Sequence, residues 1–179
     1  MFKRQKPPKH ILLLGEKNDT RDYIINIIKE EVKNPKENIP HYTFSIEEPD
    51  FDRTIPDSVL KKTDGAIFIV NATKMDELSK IKEFLWETFV WDTRTANIPI
   101  LIASYNAEKA IALTKSEIIE AFSLIRLTDR LWNVLEIHEN KKEDILACLE
   151  WLDMYIETLG IKPKVLKKKS SSRKSEKKH

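Results

Sequence analysis

The chain has 179 residues, one cysteine and three glycines, where average usage of about 7 % would supply roughly 13 glycines. So few glycines argue against functions that need repeated close backbone approach to phosphates, and the lone Cys148 excludes an intramolecular disulfide and a thiolate zinc cluster. The net charge of +2 hides an asymmetry: taking away the 13 basic and one acidic side chains of residues 1–10 and 162–179 from totals of 31 and 29 leaves 18 against 28, an acidic globe between basic ends.

Residues 1–9 read as a basic extension, 10–160 as one domain and 161–179 as a basic tail. The stretch Lys167 to Ser175 holds no apolar residue to bury and is expected to be disordered. His10 to Leu14 is an apolar run ending at Gly15 and predicts a strand covered on both faces. A helix follows, capped by Asp19 or Thr20, with Tyr23, Ile24, Ile27, Ile28 and Val32 on its inner face, until Asn34-Pro35 stops it. Tyr42 to Ile46 predicts a strand, and Glu47 to Ser58, with two prolines and five acidic residues, a surface loop. Gly65 to Val70 is the clearest buried strand. Met75, Leu78, Ile81, Leu85, Phe89 and Val90 then mark one face of a long helix ending near Trp91. Ile98 to Ala103 predicts a third apolar strand. Thr114 to Glu117 has capping-box spacing and opens a short helix through Phe122. Leu131 to Ile137 reads as another strand. Asn140 with Glu143 would cap a last helix whose Ile145, Leu149, Leu152 and Ile156 point inward until Gly160.

Strands alternating with helices predict an α/β fold, three-layer α/β/α on a mostly parallel sheet. Ligands of such sheets bind at the carboxyl ends of the strands, so the functional question is what occupies the loops after Leu14, Ile46, Val70, Ala103 and Ile137.

Three carboxy-terminal stretches, Leu113-Thr114-Lys115-Ser116-Glu117-Ile118, Leu127-Thr128-Asp129-Arg130-Leu131-Trp132 and Leu149-Glu150-Trp151-Leu152, together with Ile11 to Gly15 and Asp64 to Asn71, resemble the small GTPases of the Ras superfamily, most closely the Arf branch. The resemblance covers about residues 10 to 158 and implies a G-domain, here with a shortened switch region. In the short path from Gly15 to the central strand it is also similar to the pseudoGTPase centromere protein M. Against the family's motifs the chain departs at each nucleotide motif. The P-loop G-x-x-x-x-G-K-[ST] reads Gly15-Glu16-Lys17-Asn18-Asp19-Thr20-Arg21-Asp22. Thr20 replaces the second glycine, Arg21 the phosphate lysine and Asp22 the magnesium hydroxyl. Glu16, Asp19 and Asp22 would face a polyphosphate with Lys17 and Arg21 to compensate. No D-x-x-G exists, because no glycine lies between Gly15 and Gly65, although Ile39-Pro40 and Phe44 to Glu47 look a little like the switch I region. The base-reading N-K-x-D is matched to Ser104-Tyr105-Asn106-Ala107, with Ala107 in place of the aspartate, and the S-A-[KT] loop to His138-Glu139-Asn140.

The resemblance with these departures implies a catalytically inactive domain that binds other proteins constitutively, in a trafficking scaffold by the nearest analogy, with no cofactor and no metal. A divergent GTPase holding GTP or GDP by non-standard contacts is the alternative. A second alternative is an adaptor for anionic membrane or nucleic acid through Lys167, Lys168, Lys169, Arg173 and Lys174. Aspartates at a helix start usually complement the macrodipole, so Arg21 beside Asp19 and Asp22 need not be an anion site. His138 has no partnered nucleophile or third ligand and reads as a loop histidine, and Cys148 as a packing residue. Trp132 and Trp151 read as core, whereas Trp86 and Trp91 lie off the apolar face of their helix and are candidate partner contacts. Phe2 stands where myristoylation needs glycine and no prenylation cysteine lies near His179, so membrane attachment is expected to be weak at best. With no apolar run that reaches a membrane span and a single cysteine that gives no sign of an oxidising compartment, an intracellular, cytoplasmic protein is expected, with the nucleus allowed by the basic tail.

Overall fold

The computed structural model describes residues 8–34, 44–49 and 54–159. The elements alternate: β1 (Lys9–Leu14), α1 (Asp19–Lys33), β2 (Phe44–Glu47), α2 (Asp57–Lys62), β3 (Gly65–Asn71), α3 (Met75–Phe84), β4 (Ile100–Tyr105), α4 (Lys115–Ala121), β5 (Trp132–Ile137) and α5 (Lys142–Thr158). The five strands form one sheet in the order β2-β1-β3-β4-β5, every neighbouring pair parallel. This is the α/β architecture that the alternating pattern predicts.

All seven residues of β3 are buried, because the strand lies mid-sheet with helices over both faces. Its side chains alternate between two cores. Ala66, Phe68 and Val70 join Leu78, Ile81, Leu85, Phe89, Ile118 and Phe122 on the α3/α4 side. Ile67 and Ile69 join Ile24, Ile28, Leu149, Leu152 and Ile156 on the α1/α5 side. The two glycines of this region are steric requirements. A Cβ on Gly15 would stand 2.5 Å from the Ile69 carbonyl oxygen, and one on Gly65 would stand 2.9 Å from Leu152 Cδ1.

Several local expectations are revised. Tyr23 and Met75, placed inward by their spacing, are more than half exposed, while Ile25 is buried instead. The α1 cap is Asn18, one residue before the predicted positions. The predicted loop from Glu47 to Ser58 contains the end of β2 and the start of α2. The third apolar strand begins at Ile100 and runs through Tyr105, two residues later than its apolar run suggested. Asn140 does not cap α5: it takes φ 61°, Lys141 holds the cap position, and the Asp144 carboxylate accepts a hydrogen bond from the His138 amide (3.0 Å). The long helix after β3 changes winding, continuing from α3 into a π-helical turn over Leu85–Val90. The capping box at Thr114 and Glu117 is present as predicted. The basic residues 167–169, 173 and 174, the switch-like Ile39-Pro40 and the helix-ending Gly160 lie outside the described residues.

Candidate functional site

In a sheet of this order the strand ends of β1, β3, β4 and β5 converge on the turn that joins β1 to α1. That turn is short, Gly15 to Asn18. Asn18 has extended backbone (φ −161°), and its Oδ1 accepts from the Arg21 amide at 2.9 Å. Its Nδ2 donates to the Glu16 carbonyl at 3.1 Å and to the Tyr105 hydroxyl at 3.0 Å. One side chain therefore caps the helix, ties its own turn and bridges to the end of β4. Tyr105 is 4 % exposed, and burial raises the pKa of its phenol above the ordinary value despite the bond from Asn18. At the end of β3, Asn71 Oδ1 gathers the Thr73 amide (3.1 Å), the Thr73 hydroxyl (2.8 Å) and Asn106 Nδ2 (3.2 Å).

The charged residues of the turn divide. Lys17 and Thr20 are exposed, and Glu16 lies 3.9 Å from Lys80. Arg21 turns inward, with its side chain 4 % exposed, and its NH1 stands 2.8 Å from Asp22 Oδ1 and 3.9 Å from Glu48 Oε2. Glu48 is the residue just beyond β2, and it also pairs with Lys29 of α1. Arg21 Nε has no hydrogen-bond partner among the described residues. Lys17, Arg21, Asp22, Ile25, Asn26 and Glu48 line an open pocket of about 320 Å³.

At the far end, Ser104 is wholly buried within β4 and Tyr105 is that strand's last residue. The loop that follows therefore opens at Asn106 (φ 61°), and the four positions counted from the end of the strand are Tyr105-Asn106-Ala107-Glu108 rather than Ser104 to Ala107. The fourth of these is a carboxylate. Its own amide, then Lys109 and the Glu139 amide, hold the Glu108 carboxyl below the usual range against a desolvation penalty. Lys109 spans Glu108 (3.4 Å) and Glu139 (3.5 Å), which joins the loops after β4 and β5. His138 Nδ1 lies 2.8 Å from Asp144 Oδ2. Burial pushes the Asp144 carboxyl up, but the His138 amide and ring overcome this and leave it below its ordinary value. Cys148 is buried, and desolvation pushes its thiol up to about 12, so it stays a neutral packing group.

The tryptophans flank the opposite end of the sheet. Trp86 donates from Nε1 to the Phe122 carbonyl (2.9 Å), Arg126 lies over its ring at 5.3 Å, and Trp91 meets it edge-on at 6.4 Å while remaining 70 % exposed. Ile125, next to Arg126, is also exposed.

Asn18, Glu48 and Glu108 are the site residues that motif reading passes over. Asn18 carries a readable signal, an N-cap residue ahead of the apolar helix pattern. Glu48 and Glu108 become visible only once the ends of β2 and β4 are fixed.

A five-stranded parallel sheet with its polar loops collected at the strand ends, a glycine-led turn after β1 and a capped helix α1 is the architecture of a small-GTPase-like domain. Residues 3–156 match the sequence model of the Arf family, described as the ADP-ribosylation factor family, and the chain belongs to that family. Among curated proteins it is similar to ADP-ribosylation factor-like protein 1 of Saccharomyces cerevisiae, 27 % identical over 90 residues that make up 50 % of this chain and 49 % of the relative. The matched segment thus spans about half the length of that relative.

Proposed function

We propose that this Arf-family domain works without guanine nucleotide, as a constitutive protein-binding module with no GTPase activity. The Asn18 cap carries the reading. A P-loop binds phosphate because amides at a helix amino terminus are left free to point at it, and a lysine and a hydroxyl complete the phosphate and magnesium contacts. Here the Asn18 side chain already serves the Arg21 amide and is held in place by Tyr105. A carboxylate, Asp22, stands where the magnesium hydroxyl belongs and is paired with Arg21, so the donor set does not suit a phosphate–magnesium group. Without a γ-phosphate-sensing loop there is no nucleotide-driven ordering of a segment, and partner binding is ungated. The exposed Trp91 beside Trp86 and Arg126 is the surface best suited to a partner, since aromatic and arginine side chains dominate interface centres. A scaffold in membrane trafficking is the setting that membership of the Arf family suggests.

Glu108 supports a second reading, a divergent GTPase, because a carboxylate three residues beyond the end of β4 can still pair with a guanine edge. One assay separates the two. Protein purified from cells and then denatured should release no stoichiometric guanine nucleotide, and calorimetry with GTP or GDP plus Mg²⁺ should record no binding heat. A stoichiometric nucleotide, or micromolar binding lost in Glu108→Ala, would sink the first reading in favour of the second.

A further inference from the structure

We infer that Arg21 is a resident cation, standing where the family's site would take a divalent metal and holding the end of β2 against α1. The inference rests on the nucleotide-free reading above. Two acidic side chains converge here from different elements: Asp22 in the first turn of α1 and Glu48 just beyond β2. The first turn of α1, where Asp22 stands, is also where P-loop NTPases place the hydroxyl ligand of their magnesium. In this chain the cation between them is covalently attached. Its side chain is 4 % exposed, its NH1 is 2.8 Å from Asp22 and 3.9 Å from Glu48, and Lys29 supplies a second positive charge on Glu48. The electrostatic need is plain. β2 is an edge strand of four residues paired only to β1 among the described strands, so Asp22–Glu48 repulsion left to Lys29 alone would act on the weakest member of the sheet.

The test is Mn²⁺ binding by the full chain, read from loss of the free-ion electron paramagnetic resonance signal, together with thermal melting in Mn²⁺ and in EDTA. The wild-type protein should melt identically in both. Arg21→Met should melt lower in EDTA, bind Mn²⁺ at least tenfold more tightly than wild type and recover melting temperature in Mn²⁺. Adding Glu48→Gln to Arg21→Met should abolish the metal gain and restore part of the lost stability. Equal Mn²⁺ affinity in wild type and Arg21→Met, or no metal gain in a folded variant, overturns the inference. Should Arg21→Met not fold, folding of the double variant supports the charge role, and failure of both assigns Arg21 to packing and overturns it. A nucleotide found on the purified protein would instead remove the reading beneath, so the two failures are distinguishable.

Discussion

Asn18 and Tyr105 share a single hydrogen bond across 87 residues of sequence, and that bond defines how the turn after β1 is closed. Asn18→Ala removes a helix cap, worth about 1 kcal/mol, and Tyr105→Phe removes one buried hydrogen bond of similar size. Each should lower the melting temperature by roughly 2–4 °C. Because both changes break the same contact, the double variant should lose less than the sum, which a double-mutant cycle of denaturant melts would register. Gly15→Ala addresses a different force. Its methyl group would press on the Ile69 carbonyl oxygen, 2.5 Å away, and the backbone of β3 cannot rotate aside as a side chain can. Overpacking at such a point costs about 1–3 kcal/mol, and urea unfolding should show a lowered midpoint with little change in slope.

The helical turn over Leu85–Val90 is held at its end by a buried cation. Arg130 NH1 donates to the Phe89 carbonyl (3.0 Å) and the Thr95 carbonyl (3.2 Å), and the Asp129 carboxylate steadies it from outside. Arg130→Met would leave those carbonyls without their donor, costing about 3 kcal/mol or roughly 6–12 °C in melting, with faster amide exchange confined to residues 85–95. The junction of β5 and α5 depends on pH instead. Since the Asp144 carboxyl is depressed in the folded state, its contribution is present above its unfolded value and is lost as pH falls through the folded value. Asp144→Asn should therefore flatten the acid limb of a melting-temperature profile below about pH 4. These elements also differ in how legible they are in the sequence. β3 could be read because an apolar run uninterrupted on both faces has no other stable home, and α4 because its capping box is a local signal. The helix α2 is hidden behind acidic residues and Pro56, and the π-helical turn keeps Leu85 and Phe89 inward just as an α-helix would, so periodicity does not distinguish them. Tyr23 and Met75 share the helical spacing of the inner face yet stay exposed, because an apolar side chain near the edge of a helix stripe faces the core only if a neighbour reaches over it. In the candidate site the altered P-loop positions were readable one by one. The bond from Asn18 to Tyr105 and the corner of Arg21, Asp22 and Glu48 were not, because they join residues whose separation follows no local spacing.

For the whole molecule, the opposition between acidic globe and basic ends separates a protein-binding role from adhesion to polyanions. A tail-driven adaptor should bind anionic vesicles or nucleic acid with an affinity that falls steeply with salt and vanishes when residues 162–179 are deleted, whereas a partner held at Trp91 should survive that deletion. Equilibrium binding at two salt concentrations decides between them, and Trp91→Ala, on a ring already 70 % exposed, should shift stability by less than about 0.5 kcal/mol. The strand order β2-β1-β3-β4-β5 has a further bearing, on the ribosome rather than on the finished protein. Once β1 has paired with β2, each later strand joins an edge left open by an earlier one: β3 beside β1, then β4 beside β3, then β5 beside β4. Stalled nascent chains of increasing length should accordingly become protease-resistant in nested steps. Among the described strands none has to be prised between two already joined, so the sheet is able to grow at one margin in the order in which its strands are synthesised.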